Sequence, residues 1–163
     1  MADAAVAPDW RPKHSPWLIA LGVMMATFME VLDTSIANIA LPHIAGSLSA
    51  TTDEATWVLT SYLVSNAIVL PMTGWLGNYF GRKRVLISCI IMFTIASALC
   101  GLAWDLPTLI IARILQGVGG GAMVPIAQSI MLESFPRQKR GAAMAIFAQG
   151  VVVAPILGPT LGG

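Results

Sequence analysis

The sequence predicts an all-α integral membrane protein, on three observations. Of its 163 residues, 56% are hydrophobic and 10% are charged, against about 25% charged in a soluble domain, and the mean hydropathy is +0.78. Five apolar windows, about 17–41, 57–77, 85–104, 108–132 and 141–163, each hold the roughly 20 residues that cross about 30 Å of hydrocarbon at about 1.5 Å per residue. The linkers between them are basic at one set of ends and free of Lys and Arg at the other. A very apolar soluble helical domain is the alternative, and the spanning length of every window argues against it.

The first stretch, MADAAVAPDWRPKHSP, is polar and punctuated by Pro8, Pro12 and Pro16. The apolar run behind it is too long for the core of a signal peptide, so residues 1–16 read as a disordered cytoplasmic leader and 17–41 as the first span. Arg11 and Lys13 precede span one, Arg82, Lys83 and Arg84 lie between spans two and three, and Arg137, Lys139 and Arg140 lie between spans four and five. The alternate linkers 43–56 and 105–107 carry only Asp53, Glu54 and Asp105. Positive charge marks cytoplasmic loops, which puts the N-terminus inside the cell. Trp17, Trp57, Trp75 and Trp104 fall near span ends, where an amphipathic ring suits the headgroup region. Short connections make successive spans antiparallel neighbours. Cys89 and Cys100 share span three, roughly 16 Å apart along its axis, too far for a disulfide.

Span one carries Glu30 and Asp33 on one helix face with Thr34. A charged residue near a helix centre costs about 2.5–3.5 kcal/mol on insertion scales, so this face should meet a partner or a water-accessible cavity. Asp33 should lie about 24 Å above Trp17, or about 6 Å below the outer surface. Arg113, the one basic residue inside a span, should lie roughly 7–8 Å below the same surface. Glu30 and Gln116 form a second depth-matched pair one turn deeper. A fixed Asp33–Arg113 ion pair that holds the bundle together is one reading. The other is a carboxyl balanced between desolvation and a nearby cation, able to bind and release a proton. Glu30 has no basic partner legible in the sequence and is the better candidate for a titrating group or a contact to a cationic ligand.

These residues also carry a family resemblance. LDTSIANIALP (32–42), with Asp33, Asn38 and Pro42 at its marked positions, resembles the first-helix signature of drug:proton antiporters of the major facilitator superfamily, the fourteen-helix EmrB/QacA type. GWLGNYFGRKR (74–84) resembles the superfamily's loop motif G-x-L-x-D-x-x-G-R-[RK]-x, with Asn78 in place of the acid. RILQGVGGG (113–121) resembles the fourth-helix R-x-x-Q-G motif, and GPTLGG (158–163) the fifth-helix antiporter motif G-P-x-x-G-G. The resemblance implies a major facilitator-type helix bundle of which this chain is the first five transmembrane helices, roughly a third. It implies export of amphipathic or cationic drugs in exchange for protons, with Asp33, Glu30 and Arg113 in proton coupling. Glu30, Asp33, Asn38 and Gln116 would be the substrate contacts. Gly74, Asn78, Gly81, Arg82, Lys83 and Arg84 would form the gating loop, and Gly158, Pro159, Gly162 and Gly163 the antiporter motif. The implied partners are the substrate, protons, the bilayer and the C-terminal helices of the same transporter; relatives of this type can also work with a periplasmic adaptor and an outer-membrane channel. The implied location is the inner membrane.

The motifs have readings of their own. Glycines in 74–84 allow tight turns and close helix approach, and the basic triplet can bind helix C-termini or acidic residues or simply signal topology. GVGGGAM (117–123) suits close backbone contact in a bilayer, with Pro125 adding a kink. Gly150, Ala154, Gly158 and Gly162 repeat every four residues as a packing stripe bent by Pro155 and Pro159. No phosphate loop G-x-x-x-x-G-K-[ST] is present. His14 and His43 lack metal-ligand spacing, and the basic loops are too short and split for nucleic acid. No enzyme chemistry, cofactor or metal is expected. Two alternatives to multidrug efflux stand: export of one metabolite or siderophore by the same machinery, and a non-transporting truncated bundle.

Overall fold

A computed structural model describes residues 15–162; the leader through His14, with Arg11 and Lys13, and Gly163 lie outside them. Helix α1 (Pro16–Ser47) opens on a proline, whose missing N–H is harmless in a first turn. Helix α2 (Thr52–Val69) opens on a capping box: Glu54 N donates to Thr51 Oγ1 at 3.2 Å and Thr51 N donates to Glu54 Oε2 at 2.8 Å. The hydrogen bonds from Thr51, its backbone N–H first, hold the exposed Glu54 carboxyl below its ordinary range. Helix α1 ends beyond its apolar window and α2 begins before its own, because caps and polar turns rather than the hydrocarbon edge decide those ends.

From Thr52 to Gly101 the chain is wound almost throughout. A 3₁₀ turn at Leu70–Met72, the short helix α3 (Thr73–Leu76) and a π-turn at Gly77–Gly81 join α2 to α4 (Arg82–Gly101). Reversal comes at Gly81, whose φ of 85° is left-handed. Asp105 Oδ1 accepts from Thr108 N at 3.0 Å and caps α5 (Leu106–Gly120). Helix α6 (Met123–Ser134) continues the same span, and α7 (Arg140–Gly162) follows a 3₁₀ turn at Arg137–Lys139. The break between α5 and α6 falls at Gly121 and Ala122, not at Pro125 itself. Pro125 has no N–H to offer the carbonyl four residues back, at Gly121, so the irregularity appears one turn earlier.

Among the described residues four helical runs are long and apolar enough to cross a membrane: Pro16–Ser47, Thr52–Gly101, Leu106–Ser134 and Arg137–Thr160. The second holds two of the apolar windows folded back on each other. Tyr62 and Ser65 of α2 lie against Gly117, while Cys89 and Phe93 of α4 lie against Gly119. Positions about 24 residues apart thus meet one turn of α5, where a straight helix would separate them by about 36 Å. The order of contacts gives the directions. Asn66 lies on Gly121 beyond Tyr62 on Gly117, so α2 runs parallel to α5; Phe93 on Gly119 and Cys100 on Gln116 make α4 antiparallel to it.

The span Leu106–Ser134 is the hub. Its apolar stretch is 61% buried, against 22–28% for the other three, and it packs on α1, α2, α4 and α7. The glycine run makes this possible. A Cβ at Gly119 would stand 2.9 Å from Phe93 N, and one at Gly121 2.7 Å from Asn66 O; backbone cannot move aside as a side chain can. Tyr62, Cys89, Phe93, Met123, Ile126, Met131 and Phe147 fill the surrounding core. Gly119→Val should therefore destabilise the protein in detergent by about 1–3 kcal/mol or more. Gly22→Ala, in open space on α1, should be neutral or stabilising by up to about 1 kcal/mol. Thermal unfolding of the two variants side by side checks the contrast.

Candidate functional site

Polar side chains of α1, α2 and α5 converge inside the bundle. Arg113 Nη1 donates to Asp33 Oδ2 at 2.7 Å and to Gln116 Oε1 at 2.8 Å. The Arg113 side chain is 9% exposed and that of Asp33 21%, so the pair opens on the Asp33 side. Gln116 is fully buried, and its Oε1 also accepts from Cys100 Sγ of α4 at 3.6 Å. Arg113 Nε and Gln116 Nε2 are buried without a partner among the described residues.

Glu30 stands apart from this group. It is buried, and its Oε1 accepts from the Tyr62 hydroxyl at 3.4 Å; Asn66 Nδ2 donates to the same hydroxyl at 3.4 Å. Glu30 faces Gly120, where a Cβ would lie 3.2 Å from Oε1, and its depth match is with that glycine rather than with Gln116, which bonds to Arg113 instead. Its Oε2 has no hydrogen-bond partner among the described residues. Asn38 is exposed and donates to Thr34 O at 2.8 Å along its own helix, away from the cluster. Tyr62 and Asn66 escaped the sequence reading because two polar residues in an apolar span carry no pattern; only the approach of α2 to α5 shows what they face.

The proline and glycine motif on α7 meets α1. Pro159 has no N–H for the carbonyl of Pro155, and Ser35 Oγ donates to that carbonyl at 3.3 Å. Gly158 gives the serine room, since a side chain there would collide with Ser35. Ala154 is fully buried and Gly150 abuts Met24, so the small-residue stripe is the α1–α7 seam. Gly162 ends α7, and Gly163 lies outside the described residues.

At the basic end, Arg82 of α4 pairs with Glu133 in the last turn of α6. Their cleft, of about 960 Å³, is walled by Ile19, Val23, Asn78, Leu86 and Ile130. Lys83 and Arg84 are exposed. Gly81 makes the turn, while the close approach falls to Gly77 against Ile126; Gly74 has open space around it.

Fold and site define a polytopic membrane protein with a charged core between its helices. The profile of the Major Facilitator Superfamily matches residues 23–163, and the chain belongs to that family. It is 48% identical over 146 residues to the multidrug export protein EmrB of Haemophilus influenzae, covering 90% of this chain and 29% of that protein. It is 48% identical over 145 residues to the fatty acid resistance protein FarB of Neisseria gonorrhoeae, covering 89% and 29%. To the multidrug export protein EmrB of Escherichia coli K12 it is 44% identical over 146 residues, covering 90% and 28%. The chain thus spans less than a third of the length of these relatives. Among solved structures, a bacterial homologue of the human lysosomal transporter Spinster, inward-facing and unoccupied, superposes with a TM-score of 0.81 at 22% identity. The match covers 93% of this chain and 32% of that one, and it speaks to the fold alone.

The ion pair predicts an asymmetry. Asp33→Ala leaves the more deeply buried arginine unpaired and should cost about 3–5 kcal/mol. Arg113→Ala leaves an acid nearer water and should cost less, and the double variant should be more stable than Asp33→Ala alone. Unfolding of the three variants in detergent measures the order.

Proposed function

We propose that the chain is the N-terminal part of a proton-coupled secondary transporter that exports amphipathic, often cationic, small molecules. The observation that carries the reading is the Asp33–Arg113 ion pair inside an apolar bundle of this family, beside a second acid, Glu30, that pairs with no base among the described residues. An intramembrane ionisable cluster is a functional site by default, and the multidrug export proteins to which the chain is similar supply the direction and the class of substrate.

In this reading protons exchange at the acids of α1, and substrate competes at Asp33, the more exposed of the two. Arg113 tunes Asp33, which opens toward the cavity that a C-terminal bundle would close, and Gln116 keeps the guanidinium in place. Asn38, on the exposed face of α1, is a substrate contact in that cavity. Gly74, Asn78, Gly81, Arg82, Lys83 and Arg84 belong to the gating loop, with Arg82–Glu133 as the tie that opens and closes. Gly158 and Pro159 seal α7 on α1 against leakage, and Gly162 and Gly163 complete the antiporter motif. The basic end faces the cytoplasm of a cell whose inner membrane holds the protein, and a periplasmic adaptor with an outer-membrane channel completes the export route. Residues 1–16 form the cytoplasmic leader, and 17–163 the five spans of the N-terminal bundle.

A second reading rests on the fatty acid resistance protein, as similar to this chain as the multidrug exporter is: the exported molecule is one amphipathic class rather than many drugs. Competition between chemically unrelated drugs and fatty acids separates the two. For the coupling itself, the transporter encoded by the whole gene is placed in proteoliposomes with an imposed pH gradient. Efflux should follow the gradient and fall at least about tenfold in Asp33→Asn; efflux indifferent to both would sink the proposal.

A further inference from the structure

The coupling reading leaves two acids and one proton site to assign, and the geometry separates them. Asp33 is held by Arg113 at 2.7 Å. Glu30 is 6% exposed, and none of the described Lys, Arg or His side chains lies within salt-bridge distance of it. The titratable or charged groups that face it are Asp33 on its own helix, Tyr62 on α2 and Cys89 on α4, while Arg113 on α5 is turned to Asp33. Its Oε1 accepts from the Tyr62 hydroxyl, which Asn66 Nδ2 supports from the next turn of α2.

Gly120 is the reason these groups meet. A Cβ there would stand 2.8 Å from the Tyr62 hydroxyl oxygen and 3.2 Å from Glu30 Oε1, so any other residue would force the hydroxyl and carboxyl apart. The enclosure also limits what can reach Glu30. Its Oε2 is buried among packed helices, without a hydrogen-bond partner among the described residues.

We propose that Glu30 is the exchanging carboxyl of this protein and that Tyr62, braced by Asn66 and admitted by Gly120, is its positioning residue. The inference rests on the proton-coupling reading above. When Oε2 gives its proton to water, the Tyr62 O–H donated to Oε1 steadies the charge that a basic residue would otherwise meet. When a proton returns to Oε2, the same O–H donates to the carbonyl oxygen of the acid. Tyr62 keeps its own proton in both states.

Infrared difference titration of the whole-gene transporter, purified in detergent without substrate, tests this. Among the carboxylic-acid carbonyl bands that disappear on deprotonation, the wild type should show one that belongs to Glu30. Glu30→Gln should remove the band and Asp33→Asn should keep it. Tyr62→Phe should keep it at higher frequency, because the carbonyl loses its donor, with the titration midpoint displaced by about one pH unit or more. Asn66→Ala should move both in the same sense by less, and it serves as the readout if Tyr62→Phe does not fold. In transport, Tyr62→Phe should lower kcat with KM for the drug unchanged, since Tyr62 touches the carboxyl and no drug. A band lost in Asp33→Asn and kept in Glu30→Gln would overturn the assignment of the acid. Spectra of Tyr62→Phe and Asn66→Ala that coincide with wild type would overturn the role of Tyr62. The infrared titration needs neither substrate nor gradient, so it can fail while the efflux assay succeeds, and the reverse.

Discussion

A guanidinium that crosses into hydrocarbon has no water to meet it, and a polar group left unsatisfied there costs several kcal/mol. Arg113 therefore fixes more than its own contact. Its α5 must face α1 at the depth where Asp33 lies, which sets the register of two antiparallel spans. Gln116, one turn on, takes a second bond from the same nitrogen and is drawn into full burial. The remaining helices settle around that axis, with α2 and α4 reaching α5 where its side chains shrink to nothing.

The glycine run and the ion pair are two halves of one arrangement. Lipid tails are as apolar as leucine, so helices in a bilayer associate through close packing and hydrogen bonds rather than by leaving water. Gly119 and Gly121 bring backbones within van der Waals reach, and Gly120 brings an α2 hydroxyl to an α1 carboxyl. The α1–α7 seam repeats the logic with different atoms. There a proline frees a carbonyl, a glycine clears the space, and a serine on the facing helix satisfies the carbonyl. Close packing and polar contacts thus fall on the same residues.

Much of this was legible before any coordinates. The apolar windows, the one-sided loop charge and the four motifs in order fix a membrane bundle of this family, because span length and hydropathy are properties of the local chain. The depths of Asp33 and Arg113 followed from counting residues at about 1.5 Å each, a rule that holds along any straight helix. What counting cannot supply is rotation and lateral placement. It matched Glu30 with Gln116 by height, whereas the bundle turns Gln116 to Arg113 and Glu30 to Gly120. It set the bend at Pro125, whereas the carbonyl that proline orphans lies one turn earlier.

By itself, then, the sequence determined which segments are long and apolar enough to span, at what height along them Asp33 and Arg113 lie and which family the chain belongs to, all one-dimensional properties carried by neighbours in the chain. Only the tertiary structure decided which acid has a base and which has a tyrosine. That choice depends on the azimuth at which α2 meets α5. The azimuth is set by backbone contact across Gly117 and Gly121, a three-dimensional fit that no pattern along the chain encodes.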